Sequence, residues 1–353
     1  MMSSNLLKEI EVHILPRDEQ LILPERLKLA AGFPALDSWV VLMGRICNFS
    51  VYRLVALVDK KIVGVLSLIR IKHFIFGDYL ITAPFASYGG FAFLSDPIRD
   101  ALLEKARILG DDLGVEYVNI RFASGDTPPP PGWLQHPVYA TYLADLLPDA
   151  EQMLASYDAN HRNHIRKSLK KGFTVRFGGT ELLNDAYEGL SKSMHELGSP
   201  YHGRAYLQTL ASSLGDDLEF AVIYNGSGNL VGAGVFIFSS TMVTNLHANI
   251  LRQVRSDYAG EFLYWSAMTR YSQKGFSTFD MGRSLIGSGN EVFKMKWNPK
   301  KQILAYWYYL NKGHDIPGLN QKNPKFRFVI WVWQRLPAFV VRLVGPGLIR
   351  GLA

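Results

Sequence analysis

Two stretches of the chain carry the same pattern of apolar and polar positions. Leu54-Val55-Ala56-Leu57-Val58, a turn at Asp59-Lys60-Lys61 and Ile62-Val63-Gly64-Val65-Leu66-Ser67-Leu68 read as a β-hairpin within Tyr52 to Arg70. Between Glu219 and Phe238 the pattern returns as Phe220-Ala221-Val222-Ile223-Tyr224, a turn at Asn225-Gly226-Ser227-Gly228, and Leu230-Val231-Gly232-Ala233-Gly234-Val235-Phe236. Apolar, β-branched runs separated by short polar turns are hairpin signals. Each hairpin is followed by further strands, an amphipathic helix, a glycine and an apolar strand. In the first half the helix is Asp100 to Leu113, with Leu102, Leu103, Ala106 and Leu109 on one face, leading to Gly114 and the strand ending at Ile120. In the second it is Gly260 to Lys274, leading to Gly275 and the strand ending at Met281. An internal repeat constrains a fold more than propensity does. It predicts an α/β (α+β) protein of two tandem domains, each a mixed central sheet flanked by helices. The expected boundaries are 1–147 and 148–312, followed by a basic, apolar helical tail at 313–353.

The halves differ where their last strands end. Ile120-Arg121-Phe122 runs towards Pro128-Pro129-Pro130-Pro131, a stiff loop. Phe279-Asp280-Met281-Gly282-Arg283-Ser284 runs into a Gly-Ser-Gly loop and then Phe293-Lys294-Met295-Lys296-Trp297. Charged side chains presented at the end of an apolar strand are where sites form, so the second domain is the expected seat of chemistry. Asp280 and Arg283 could act on substrate or pair with each other, and Lys296 is expected on the opposite face of a strand from Lys294. A helix over Asp149 to Lys171 would carry Arg162, Arg166 and Lys170 every fourth residue, opposite Leu154, Tyr157, His161, Ile165 and Leu169. Like charges at that spacing repel by a few tenths of a kcal/mol per pair. An anionic ligand would offset the repulsion, and a solvated face is the other reading. Ser256-Asp257-Tyr258-Ala259-Gly260, with Arg255 nearby, offers capping side chains and small residues at a helix N-terminus, where backbone amides can meet an anion. An ordinary capped helix fits the same residues. His247, inside the apolar strand Met242 to Ile250, reads as a core histidine or a proton acceptor.

The sequence Asp-x-Gly-Arg-Ser, then Gly-x-x-x-Phe-Lys-x-x-Trp, then Tyr306-Trp307-Tyr308-Tyr309 resembles the FemAB-like branch of the GNAT acyltransferase superfamily, of the peptidoglycan-bridge or PEP-CTERM-associated type. Arg162 to Lys167 and Tyr258 to Trp265 match further landmarks of that family. The resemblance covers Leu154 to Leu310 well and the first 145 or so residues loosely. It implies direct transfer of an acyl or aminoacyl group, without a covalent enzyme intermediate, to an amine or hydroxyl of a cell-envelope or exopolysaccharide precursor. Under it Lys294, Asp280, Arg283 and His247 are the catalytic candidates. Arg255, Tyr258, Ala259, Gly260 and Ser284 are the donor-binding ones, and Arg162, Arg166 and Lys170 would bind an anionic acceptor. Acyl-CoA or aminoacyl-tRNA would be a co-substrate, with no permanently bound cofactor. The lack of a charged coiled-coil insertion tilts the expectation towards a thioester donor and an exopolysaccharide-type acceptor. The rival expectation is a non-catalytic, degenerate GNAT pair serving as an envelope-assembly interaction module.

Composition narrows these readings. With 353 residues, 48% hydrophobic and 20% charged, the chain can fill two cores. Its single cysteine, Cys47, excludes an internal disulfide framework, and no Gly-x-Ser-x-Gly elbow suggests a serine hydrolase. The nine histidines show no metal spacing; His161 and His164 lack an evident acidic partner, so no metal is expected. Acidic residues interrupt the N-terminus before any apolar run of leader length, which points to a cytoplasmic location. The net charge of +7 looks at first like a nucleic-acid signal, but from Ile316 onward there are no acids and six Lys and Arg. The excess therefore belongs to the tail, and no sequence-specific nucleic-acid partner is expected. Arg327, Arg335, Arg342 and Arg350 recur at intervals of eight, seven and eight among Phe328 to Trp333 and Phe339 to Val341. Such a stripe suits an interfacial helix on an anionic membrane, at the inner face, or a helix folded back over the first domain.

Overall fold

The computed structural model describes residues 9–16, 19, 21–27, 37–123, 127–313, 315–316 and 324–352. The described elements run β1 (Glu11–Leu15), α1 (Asp37–Cys47), β2 (Ser50–Val58), β3 (Lys61–His73), β4 (Gly77–Ile81), β5 (Phe91–Phe93), α2 (Asp96–Leu113), β6 (Tyr117–Phe122), β7 (Leu134–Gln135) and β8 (Tyr139–Asp145). They continue with α3 (Ala150–Ala155), α4 (Ala159–Leu169), β9 (Thr174–Gly178), α5 (Leu183–Leu197), α6 (Arg204–Leu214), β10 (Leu218–Tyr224), β11 (Leu230–Ser239) and β12 (Met242–Ile250). The last are α7 (Ala259–Gln273), β13 (Thr278–Asp280), β14 (Ser284–Leu285), α8 (Gly289–Met295), β15 (Lys300–Ile303), β16 (Ala305–Leu310), α9 (Pro324–Trp333) and α10 (Ala338–Arg350). Two mixed sheets flanked by helices, each containing a hairpin of the repeat, give the fold class that the pattern of the sequence predicts.

The first sheet runs β1-β2-β3-β4-β6-β16-β7, with β5 on β3. Helix α2 lays Ile98, Leu102, Leu103, Ala106 and Leu109 into a core that also holds Leu54, Leu66, Leu80, Val118 and Trp307. Burial of such a leucine contributes roughly 1.5–3 kcal/mol. Pro97 begins the helix without needing an amide partner, and Gly114, at φ 63°, ends it in the left-handed conformation.

The second sheet runs β14-β8-β13-β12-β11-β10-β9, with β15 on β8. Helices α5 and α7 both pack on its central strands. Their buried stripes include Ala186, Gly189 and Leu190 on α5, and Leu263, Ala267 and Met268 on α7.

The division between units falls differently from the expected 147/148 boundary. One compact unit comprises the chain up to Pro137 plus Ile303–Pro317; the other comprises Val138–Gln302 plus Gly318–Leu352. Strand β8, read from sequence as part of the first half, pairs with β13 and β14 of the second sheet. Strand β16, the Tyr-rich strand assigned to the second half, pairs with β6 and β7 of the first. Each sheet is thus completed by a strand from the other half of the chain.

Two further expectations are corrected. The long helix from Asp149 to Lys171 is two helices, because Asp158 turns extended and caps α4 through its carboxylate, accepting from the amides of Asn160 and His161. The tail packs on α5 of the second unit. His195 Nε2 donates to Trp333 O at 3.0 Å, Gln334 Nε2 donates to Glu196 O, and Arg342 pairs with Glu188 at 2.6 Å.

Candidate active site

Strands β12 and β13 are parallel, and their ladder is short. Met242, Val243 and Thr244 face Thr278, Phe279 and Asp280, after which β12 continues to Ile250 paired with β11 but not with β13. Over the same stretch the β11–β12 register shifts, with Val235 opposite His247 and Phe236 opposite Asn245. Leu246 is the extra residue, and a bulge of this kind re-aims the side chains beyond it. Asn245 points towards α7, donating to Tyr264 Oη at 2.7 Å, while Asn249 lies against Met194 of α5. His247 joins Tyr201, His202 and Tyr206. The other amide hydrogen of Asn245 reaches Met281 O across the opening at 3.5 Å, and its Oδ1 is buried without a partner.

Beyond this opening the chain builds a compact polar centre. Asp280 is fully buried and its Oδ1 accepts from Thr141 Oγ1 at 2.6 Å and from the Gly282 amide at 2.8 Å. Gly282 has φ 74°, a conformation that suits glycine, and it turns its carbonyl towards Lys294. Lys294 is buried, and its Nζ donates to Gly282 O at 2.7 Å and Arg283 O at 3.0 Å. Burial pushes its pKa down to about 7; the Asp280 carboxylate opposes that shift and Arg283 adds to it. The ammonium also lies 5.5 Å from the centre of the Tyr142 ring, and Arg283 stacks over Tyr139.

Lys294 does not lie on a strand. Ser288 caps α8, accepting from the Glu291 amide, and Glu291 reaches back to the Gly287 amide. The Ser-x-x-Glu spacing is that of a capping box, a helix-start signature visible in the sequence, with the glutamate here reaching the amide one residue before the cap. Glu291 also accepts from Tyr142 Oη at 2.9 Å and pairs with Lys301. Thr141, Tyr142, Asn245 and Tyr264 escaped sequence reasoning. Two of them sit on β8, whose place in the second sheet is set by a partner far along the chain.

The residues expected to form a donor cradle make an uncapped helix end. The N-cap of α7 is Tyr258, at φ 62°, and no side chain caps the helix. Asp257 is instead held by Lys171 at 2.6 Å. The first-turn amides of Ala259, Gly260 and Glu261 therefore lack a side-chain acceptor, which is the arrangement that receives anions. A Cβ on Gly260 would meet only the Phe293 ring, at 3.6 Å, so packing alone does not demand glycine there. Arg255 Nε leans on Ile250 O at 3.4 Å, and Ser284 Oγ is buried without a partner.

Across from this helix end, α4 stacks His164 on Tyr258 and sets His161 edge-on to Trp297, with ring centres 4.4 Å apart. The two histidines do meet an acid. Their ring nitrogens and a Glu261 oxygen lie within 4.8 Å of one another. Lys296 stands 3.6 Å from that carboxylate, so an ammonium already neutralises the charge that would draw a cation. Burial lowers His161 to about 4. Among the expected acceptor cations, Arg166 and Lys170 are exposed, but Arg162 turns back to donate to Tyr157 O at the end of α3. The three do not form one free stripe. His247 is separated from the Lys294 centre by the bulge, and burial lowers it to about 4.

The family described as acetyltransferase (GNAT) domain matches residues 156–295, which span α4, the β12 opening, α7 and Lys294. No curated protein matches the chain. Among solved structures, FemX is similar with a TM-score of 0.56 at 13% identity, covering 79% of this chain and 92% of that one. A tandem GNAT protein from the clavulanic acid biosynthesis pathway gives 0.54 at 12% identity, covering 87% and 100%. The C-terminal domain of a putative lysylphosphatidylglycerol synthetase from Agrobacterium fabrum gives 0.51 at 13%, covering 79% and 89%. At these identities the likeness is one of fold. Residues 156–295 match the GNAT domain model, and the chain as a whole has the fold of two tandem GNAT domains.

Proposed function

We propose that the protein is an acyltransferase of FemAB-like type that moves an acyl or aminoacyl group from an activated donor to an amine or hydroxyl. The observation that carries this reading is Lys294. The two N–H bonds of its neutral amine are taken by the carbonyls of Gly282 and Arg283, which leaves the lone pair as the remaining function of the nitrogen. A base with a pKa near 7 is matched to proton transfer at neutral pH. In the proposed step the acceptor's amine or hydroxyl attacks the donor carbonyl, Lys294 takes the proton the nucleophile loses, the carbon–sulfur bond of a thioester breaks, and the departing thiolate is protonated. The uncapped amides at the start of α7 support an anionic donor such as acyl-CoA. Arg166 and Lys170 suit an anionic acceptor of the cell-envelope or exopolysaccharide class, with Arg162 holding the helix they stand on.

Incubation of the purified protein with a panel of acyl-CoA thioesters and amine or hydroxyl acceptors, followed by thiol release and product mass, tests the proposal. Thiol release that requires an acceptor and disappears in Lys294→Met is the expected result. Acceptor-independent release, or full activity in the variant, would reject the role given to Lys294. A protein that retains no donor on purification and turns none over would favour the non-catalytic interaction module.

A further inference from the structure

Helices α9 and α10 are apolar on two faces. One face is committed: a Cβ on Gly198 would strike Ile330 Cγ2 at 2.5 Å, and Gly345 lies so close to Tyr201 that a Cβ there would stand 3.3 Å from its carbonyl oxygen. Trp333 and Val341 are buried in this seam. Each helix also leaves an open side. Phe328 is 72% exposed, Trp331 51%, Phe339 72% and Leu343 80%, with Val329 and Val344 beside them. A helix apolar all round belongs in a core or against lipid, and a cluster of exposed aromatic and aliphatic side chains marks an interaction surface.

We infer that this outer face seats the second unit on an anionic bilayer, lying in its surface. Charge selects the occupant. From Ile316 to Ala353 the chain has six Lys and Arg and no acid, an exclusion that an apolar protein interface does not require and an anionic surface does. Arg335 lies over the Trp331 ring at 4.0 Å, a cation held beside an aromatic at the border of the patch, where both suit the headgroup layer. The two helices are 10 and 13 residues long and are broken by Pro337, and no described helix is long and apolar enough to cross a membrane. They can lie along a surface. Because α10 packs on residues 201–203, a docked tail would hold the loop that sets His202 beside His247 at a fixed height above the lipid. The inference stands apart from the acyl-transfer reading, since binding can be measured without turnover.

The test is flotation of the full chain with vesicles of phosphatidylcholine alone or with about a third phosphatidylglycerol. It uses wild type and the triple variant Trp331→Ser, Phe339→Ser, Leu343→Ser, all at exposed positions so that the fold survives. Wild type should float with the anionic vesicles, and 1 M salt, which shortens the screening length from about 10 Å to about 3 Å, should weaken that binding. The triple variant should lose at least about tenfold in vesicle affinity, each side chain giving up its share of apolar transfer, with an unchanged melting temperature. Equal flotation with neutral vesicles would reject the electrostatic part. Failure of wild type to float, or flotation of the triple variant at wild-type level, would overturn the inference. Concentration-dependent self-association abolished by the triple variant, without vesicle binding, would assign the face to a second copy instead. If the triple variant melts early, Phe339→Ser alone serves as the readout.

Discussion

The two units end their central strands in opposite ways. In the first, β4 and β6 pair in parallel from Tyr79 opposite Tyr117 to Ile81 opposite Asn119, and the chain then stays closed. The Thr82 amide donates to Asn119 O, Thr82 Oγ1 accepts from the Arg121 amide at 2.7 Å, and the Gly89 amide donates to Arg121 O. Arg121 is spent on Asn119 Oδ1 and on the face of Tyr306. In the second, β12 and β13 pair over three residues and separate, and the strand end carries Asp280, a turned Gly282 carbonyl and a buried lysine. The same architecture gives a sealed strand end in one unit and an open polar one in the other. The difference lies in whether the backbone beyond the parallel pair is bonded or freed by a bulge.

That contrast predicts unequal responses to matched substitutions. Lys294→Met should lower turnover about 10²–10³-fold, the scale of losing a positioned acid–base group. It should also cost about 1–3 kcal/mol of stability as two buried carbonyls lose their donor. The wild-type rate should rise with pH through about 7, because the neutral amine is the working form, and the residual rate of the variant should not follow that titration. Arg121→Met, the counterpart in the first unit, should lower the melting temperature and leave turnover within about twofold. Comparable loss of turnover in both would remove the functional distinction between the strand ends.

The next effect is on acid stability. His161, lowered to about 4 by burial and then by Lys296, binds its proton more readily unfolded than folded. Its contribution is fully present above about pH 6.5 and lost as pH falls towards 4, amounting to on the order of 3 kcal/mol. Denaturant melts between pH 7 and 4 should show a shallower decline for His161→Phe than for wild type. Asn245→Ala should follow, at about 1 kcal/mol, by removing the bond that ties the bulge to Tyr264; a melt unchanged by this variant would show that the bulge holds itself. The smallest effect is expected for Arg166→Ala with Lys170→Ala, which should weaken an anionic acceptor by a few-fold and donor affinity hardly at all.

The hairpin repeat, α2, α7 and β12 were legible because their cues are local: apolar period, a turn, a closing glycine. The strand end that carries Asp280 and Arg283 was legible for the same reason. What escaped was set by partners distant in sequence. Nothing within Tyr139–Asp145 says that Thr141 will meet Asp280, and nothing in the spacing of Arg162, Arg166 and Lys170 says that Arg162 will turn back on α3. The helical setting of Lys294 was readable in Ser288 and Glu291 but was outweighed by the strand pattern around them.

The exchange of strands β8 and β16 governs how the chain can be made. The first sheet lacks β16 until Leu310 has been synthesised, because Phe122 waits for Ala305 and Tyr117 for Leu310. A ribosome releasing the amino-terminal half would leave the open edge of β6, bearing Tyr117, Ile120 and Phe122, available to any other unpaired strand. Folding of the early half is thereby tied to completion of the late one. Expression of residues 1–147 alone would yield an aggregation-prone fragment rather than a domain.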